Sequence, residues 1–142
     1  RKRRNQWSSA EEMFERFENR PPFDSWDSAI LRDYCEHALC PNGAGFVLAC
    51  PPEVEASVYE NSTALESNIY EEIAGVEIPV HVVRAGRYRD SEEVMRVSPT
   101  APDLAQLFRH GVDTCLTECS HFIPMEAPEL VAKFVTDAVS LL

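Results

Sequence analysis

The sequence of 142 residues lacks, or has little of, three features, and each shortage excludes a class of protein. Basic residues number 13 against 24 acidic ones, and a formal net charge of −11 argues against nucleic acid or an anionic membrane as a partner. No apolar run approaches the ~20 residues that a membrane helix needs. The five cysteines show no disulfide framework and no secretion signal is evident, so we expect a cytoplasmic protein.

What is present divides the chain into halves, of which the first, residues 1–75, predicts short helices. The stretch from Ser9 to Glu12 is a capping box that begins one helix. Asp24 or Asp27 is expected to cap the next. Pro51 to Glu53 begin a third, with proline in the first turn, where its missing N–H does no harm. Phe46 to Ala49 is a short apolar run of the length of a strand, but nothing in this half indicates a β-sheet domain.

The second half, residues 76–142, predicts alternating strands and helices. The run 79–86 is apolar and β-rich, as in strands that are buried on both faces of a parallel sheet. A helix is expected to begin near Ser98 and to stop at Gly111, before a second strand over 112–117. The last helix is predicted over 128–142. This β-α-β-α order indicates an α/β fold with parallel strands, whose ends lie at one edge of the sheet.

The loops after the two predicted strands carry an acid and a histidine. Asp90 follows the first strand, and His121 follows the second. If the strands are neighbours, the two side chains meet at the carboxyl edge of the sheet, where α/β proteins bind ligands. A carboxylate in that place fixes the tautomer of an imidazole and stabilises its protonated form, as in a nucleophile–base–acid triad.

The histidine loop resembles that of a known family. The segment from His121 to Glu129 is similar to the histidine segment of α/β-hydrolase-fold enzymes, where a proline-containing stretch leads into the final helix. The run from Pro79 to Gly86, followed by Asp90, resembles the preceding strand and its acid loop. The resemblance implies that His121 is the catalytic base and that Asp90 orients it, with Glu92 and Glu93 as competing acids.

The resemblance also implies how the chain is divided and what it does. Residues 1–75 fall where these enzymes insert a helical cap, and residues 76–142 correspond to the C-terminal part of the core. The implied activity is hydrolysis of a small, fairly apolar ester or a related acyl compound, with no cofactor and no metal. Epoxide and C–C hydrolases use a similar acid–base pair and stay open as alternatives. Phe14, Phe23 and Trp26 of the cap are candidates for the substrate pocket.

The sequence departs from the family in one large respect. It contains no Gly-x-Ser-x-Gly elbow to supply a nucleophile, and no His-Gly segment of the kind that supplies oxyanion contacts in these enzymes. We expect both to lie upstream of Arg1, so that this chain is part of a longer enzyme and needs the missing N-terminal half of the sheet. By itself it should be inactive. The alternative is a non-catalytic, hydrolase-like module that binds a ligand or a protein.

Three further features, a thiol, a Cys/His cluster and a strand histidine, have simple structural interpretations. Cys119 lies two residues before His121 and suggests a thiol nucleophile, but a triad nucleophile normally comes from another loop. The spacing of Cys35, His37 and Cys40 is not that of a zinc site, and no fourth ligand is evident. His81 lies within a predicted strand and is expected to be a core histidine with a satisfied hydrogen bond.

Overall fold

The fold is given by a computed structural model that describes residues 3–62, 64, 68–86 and 98–140. The chain forms two units, Arg1–Asn68 and Ile69–Leu142. Their boundary lies a few residues before 75/76, where the sequence changes character. Among the described residues, no helix combines the length and the apolar composition that crossing a bilayer requires.

The first unit combines helices with a small antiparallel sheet. Its helices are α1 (Ala10–Phe17), α2 (Ser28–His37) and α3 (Pro52–Asn61), with a 3-10 turn at Phe23–Ser25. Its strands are β1 (Gln6–Trp7), β2 (Leu39–Pro41) and β3 (Phe46–Leu48), in the order β1-β3-β2. β3 falls on the short apolar run from Phe46 to Ala49, whereas β1 and β2 correct the expectation that the rest of this half is helical. Strands of two or three residues are too short to show an alternating pattern.

Side-chain caps fix where the helices of the first unit begin. The Asp27 carboxylate accepts the N–H groups of Ala29 and Ile30 at 2.8 and 3.3 Å, so Asp27 is the cap of α2. The Ser9 hydroxyl accepts the N–H of Glu12 at 3.1 Å and caps α1. Both caps satisfy N–H groups that the first helical turn leaves without a backbone partner.

The first unit has a core of its own, built between α1, α2 and the sheet. Half-buried aromatic side chains surround this core in a continuous series of ring contacts, from Trp7–Phe17 at 5.4 Å to Phe23–Trp26 at 4.9 Å. The buried residues are Trp7, Met13, Phe14, Leu31, Cys35, Leu39 and Leu48. The unit therefore has an apolar core formed by its own residues.

The second unit is centred on two parallel strands. Its elements are α4 (Tyr70–Ile73), β4 (Val80–Ala85), a 3-10 turn (Leu104–Leu107), β5 (Gly111–Leu116), α5 (Ile123–Glu126) and α6 (Pro128–Val139). The strands are parallel, as the sequence predicts, and pair from Val80–Gly111 to Ala85–Leu116. The sequence also predicts a helical stretch from about Ala64 to Ile73, and among its described residues only Tyr70–Ile73 is helical.

The segment between the strands contains a correction. The helix expected from Ser98 to Gly111 is a single 3-10 turn, because the backbone at Ala105 packs directly onto Gly111. The turn lies directly against the start of β5. A Cβ on Gly111 would come within 1.9 Å of the Ala105 carbonyl oxygen, so only glycine permits this approach.

The two faces of the strand pair differ. On one face, His81 packs edge-on against Phe134 of α6, with ring centroids 5.1 Å apart. Arg84 is three residues after His81 and therefore lies on the opposite face. It forms a two-point ion pair with Asp113 of β5, at 2.7 and 3.0 Å. The hydrogen bonds from Arg84 to Asp113 raise the pKa of the guanidinium. A charged pair thus ties the strands together on the side away from α6.

Candidate functional site

The site is built at the carboxyl edge of the two-stranded sheet. The N–H of Gly86, just after β4, donates to the carbonyl oxygen of Leu116, the last residue of β5, at 2.8 Å. The two strands therefore end side by side, and the chain leaves both of them at the same edge. The loop after β5 carries His121, as the sequence predicts. The loop after β4 leads to Asp90, which lies outside the described residues.

His121 is half-buried on the loop between β5 and α5. Its ring lies against that of Phe122, with centroids 4.0 Å apart and an angle of 34° between the planes. The Nδ1 atom is buried and has no hydrogen-bond partner among the residues that the structure describes. A buried ring nitrogen without a partner is costly, so its surroundings call for an acceptor or a donor that completes it.

A bracket of three hydrogen bonds among Ser120, Phe122 and Glu126 lies around His121. The hydroxyl and the N–H of Ser120 donate to the two carboxylate oxygens of Glu126, at 2.6 and 2.8 Å. The N–H of Phe122 donates to the Ser120 hydroxyl oxygen at 3.2 Å. Sequence reasoning missed this bracket. The only signal was a serine next to the histidine and an acid at the end of the same loop, a spacing that matches no common motif.

Beside His121 lies an open groove of about 440 Å³ between β4 and α6. Its lining is mostly apolar, with an imidazole contributed by each of two histidines. The lining residues are His81, Val83, His121, Ile123, Pro124, Val131, Phe134, Val135 and Ala138. An apolar groove with a few polar groups suits a small organic ligand.

His81 has a different place from the one expected. It is exposed on β4 and lines the groove, whereas the sequence suggested a histidine in the core. The expectation of a satisfied hydrogen bond is met, because Nε2 lies 2.8 Å from the Thr114 hydroxyl. His81 lies on the face of β4 that carries α6, and the groove between β4 and α6 leaves it exposed.

The remaining candidates lie in the first unit. Phe14 is buried at 5% exposure, whereas Phe23 and Trp26 are half-buried around the same core. Cys35 is buried on α2 and Cys40 is exposed on β2. Within the described ranges, no group of three or more His, Cys, Asp or Glu side chains is placed to hold a metal ion.

Comparison with known proteins identifies the fold class. No protein-family model matches this sequence, and no curated protein matches it. Among solved structures, the chain is similar to an α/β-hydrolase. That structure is the crystal structure of E-2-(acetamidomethylene)succinate hydrolase, with a TM-score of 0.68 and 15% sequence identity. The likeness covers 95% of this chain and 47% of that one, so this chain spans about half the length of the hydrolase.

At 15% identity, the likeness shows the fold and nothing finer. The predicted α/β class and the resemblance to the α/β-hydrolase fold are confirmed at that level. The roles of His121 and Asp90, the substrate, and the assignment of the chain to the C-terminal part of such an enzyme stay predictions.

Proposed function

We propose that this chain is the C-terminal part of an α/β-hydrolase that cleaves a small, fairly apolar ester or a related acyl compound. His121 is the catalytic base, Asp90 is the acid that orients it, and the nucleophile lies upstream of this chain. One observation carries the proposal. His121 stands at the carboxyl edge where β4 and β5 end together, with a buried Nδ1 that has no partner in the described part of the chain.

The proposed chemistry follows from that position. The free Nε2 of a neutral His121 takes the proton of the nucleophile's hydroxyl as that oxygen bonds to the acyl carbon. The imidazolium then gives the proton to the leaving alcohol. Water repeats the sequence and releases the acid product. Throughout, the Nδ1–H donates to a carboxylate, and Asp90 is four residues beyond Gly86 in the chain. A buried Nδ1–H beside a carboxylate keeps the tautomer that leaves Nε2 free.

The apolar lining of the groove supports the substrate class. Val83, Ile123 and Pro124 line it near His121 and offer no charged group to an ionic substrate. The similar solved hydrolase is named for E-2-(acetamidomethylene)succinate. For this chain, the groove favours a less charged acyl compound, and the overall charge of −11 also repels dianions. Phe23 and Trp26, which keep exposed ring surface, and Phe14 behind them remain proposed pocket residues of the complete enzyme.

The thin packing of the second unit supports the part of the proposal that concerns missing strands. In the described residues, β4 and β5 pair only with each other. No residue of α6 is fully buried, and Val112 of β5 and Val135 and Val139 of α6 are exposed. A parallel sheet is normally covered on both faces and has more than two strands. We infer that the N-terminal half of the enzyme completes this sheet and brings the nucleophile and the oxyanion donors.

The thiols support a cytoplasmic location as part of the same proposal. All five cysteines lie in the described part of the chain, and no disulfide joins any two of them. Cysteines without disulfides are usual in a reducing compartment.

The test is a substitution in the full-length protein. His121→Ala should lower kcat on a p-nitrophenyl ester by about 10³-fold or more while the protein folds normally. His110→Ala is the matched control, because His110 is an exposed histidine of the same unit. Unchanged turnover in His121→Ala, with correct folding shown by circular dichroism, would sink the proposal.

A second function is favoured by the absence of a Gly-x-Ser-x-Gly elbow from the 142 residues. A non-catalytic module that binds a ligand or a protein needs no nucleophile. The isolated 142-residue chain then takes up no label from a fluorophosphonate probe, and neither does the full-length protein. Labelling of the full-length protein at a serine would decide for the hydrolase.

A further inference from the structure

In the bracket, a buried serine donates two hydrogen bonds to one carboxylate, that of Glu126. Ser120 is completely buried, at 0% exposure, although its side chain is polar. Both of its donors go to one carboxylate, and each Glu126 oxygen receives one of them. Hydrogen bonds to an ionised carboxylate are stronger than those between neutral groups, and a two-point contact also fixes direction.

The bracket holds the backbone on both sides of His121. The N–H before the histidine, that of Ser120, is bound to Glu126 directly. The N–H after it, that of Phe122, is bound to the Ser120 hydroxyl, which is itself bound to Glu126. The Cα of His121 therefore lies between two anchored peptide groups. The ring can then move only by rotation about its side-chain bonds, and the contact with Phe122 restricts that rotation.

Glu126 belongs to the same short segment as the residues that it holds. Glu126 ends α5, a helix of only four residues that would be marginal alone. The Phe122 carbonyl accepts the N–H groups of Met125 and Glu126, at 2.8 and 3.0 Å, so the turn and the bracket close on each other. The carboxylate is thereby placed by the same few residues that it restrains.

We propose that Ser120 and Glu126 are positioning residues that aim the His121 imidazole, and hence its Nε2, at the reacting atoms. This inference rests on the proposed function, in which His121 is the base. Misplacing a catalytic group by about 1 Å can cost about 10²-fold in rate without weakening substrate binding. The expected signature of losing the bracket is a lower kcat at an unchanged KM.

Three variants of the full-length protein remove different parts of the bracket. Ser120→Ala removes the hydroxyl that links Glu126 to Phe122. Glu126→Ala removes the acceptor altogether, and Glu126→Gln keeps one acceptor oxygen and the length of the side chain. We expect kcat on a p-nitrophenyl ester to fall by about 10- to 100-fold in Ser120→Ala and Glu126→Ala, and by less in Glu126→Gln. Glu129→Gln is the matched control, an exposed glutamate in the first turn of α6.

A second readout does not depend on activity. The ring nitrogens of His121, identified by the signal that His121→Ala removes, are followed by long-range ¹H–¹⁵N correlation spectra. Ser120→Ala and Glu126→Gln should move these resonances, and Glu129→Gln should not. Should Glu126→Ala fail to fold, Ser120→Ala, which removes a single oxygen, carries the test.

The outcomes separate the two proposals. Wild-type kcat and unmoved ring resonances in Ser120→Ala and Glu126→Gln overturn the positioning role, even if His121→Ala is inactive. Equal losses in Glu129→Gln also overturn it, because charge alone would then explain the effect. If His121→Ala keeps full turnover, the proposed function fails instead, while moved resonances still support an oriented ring.

Discussion

Gly86 and Thr117 approach so closely that no side chain fits between them. A Cβ on Gly86 would lie 2.3 Å from the Cα of Thr117 and 2.9 Å from its nitrogen. Gly86 follows the end of β4 and Thr117 follows the end of β5. Their contact therefore sets the separation of the two strand ends from which the proposed acid and base loops leave.

The first prediction concerns this contact. Gly86→Ala should destabilise the full-length protein by about 1–3 kcal/mol, because the added methyl group meets backbone atoms that cannot move aside without separating the strands. Urea denaturation followed by circular dichroism measures the change. Gly75→Ala is the control, since its Cβ would meet only the Glu72 carbonyl oxygen, at 3.3 Å. Equal destabilisation by the two variants would contradict the prediction.

A second prediction concerns the acid. Asp90→Asn should lower kcat on a p-nitrophenyl ester by about 10⁴-fold in the full-length protein, since an amide no longer holds the Nδ1–H tautomer of His121. Glu92→Gln and Glu93→Gln are matched controls on the two competing acids. If one of these variants shows the large loss and Asp90→Asn does not, the orienting acid is that glutamate.

The third prediction concerns pH and Glu12. Hydrogen bonds from the N–H and hydroxyl of Ser8, together with the Arg4 guanidinium, lower the pKa of Glu12 from 4.5 to about 2. A lowered pKa means that the ionised carboxylate stabilises the fold. That contribution is complete above pH 4.5 and is lost as the pH falls to about 2. Glu12→Gln should therefore lower the thermal midpoint at pH 7 and have a progressively smaller effect as the pH falls from 4.5 through 2.

The control for Glu12 is Glu15→Gln, an exposed residue of the same helix. It removes the same charge without breaking the contacts to Ser8 and Arg4. A pH-independent difference between Glu12→Gln and wild type, or an equal shift in Glu15→Gln, would refute the proposed linkage.

The fourth prediction concerns thiol reactivity. Burial at 1% exposure, with Glu11 nearby, raises the pKa of the Cys35 thiol from 9.0 to about 11. Only the thiolate reacts with iodoacetamide, so native Cys35 should stay unlabelled at pH 8 while the exposed Cys40 and Cys50 react. Peptide mass spectrometry measures each site, and the urea-denatured protein is the control in which all three react. Equal labelling of Cys35 and Cys40 in the native protein would contradict its burial.

The sequence predicted those elements whose signals are local. Asp27 before α2 and Pro52 at the start of α3 are boundary signals that act within one turn, and both are confirmed. The apolar runs of β4 and β5 also gave the strands and their parallel pairing. His121 was placed correctly after β5 because the strand, the loop and the final helix each have a clear pattern.

The elements that were missed depend on contacts between distant residues. The strand β1 exists because Gln6 and Trp7 pair with the distant β3, which no local pattern reveals. The helix expected before Gly111 gives way to a 3-10 turn because the backbone packs onto that glycine. His81 is exposed because α6 leaves a groove open beside β4, a property of the neighbouring elements and not of its own residues.

The bracket around His121 also bears on how such a protein can change over time. Its three hydrogen bonds run among Ser120, Phe122 and Glu126 of one short segment, so a substitution on β4 or α6 leaves their donors and acceptors in place. The groove residues on β4 and α6 lie outside it. Substitutions that accumulate in these groove residues can therefore change ligand preference without changing the orientation of the His121 imidazole.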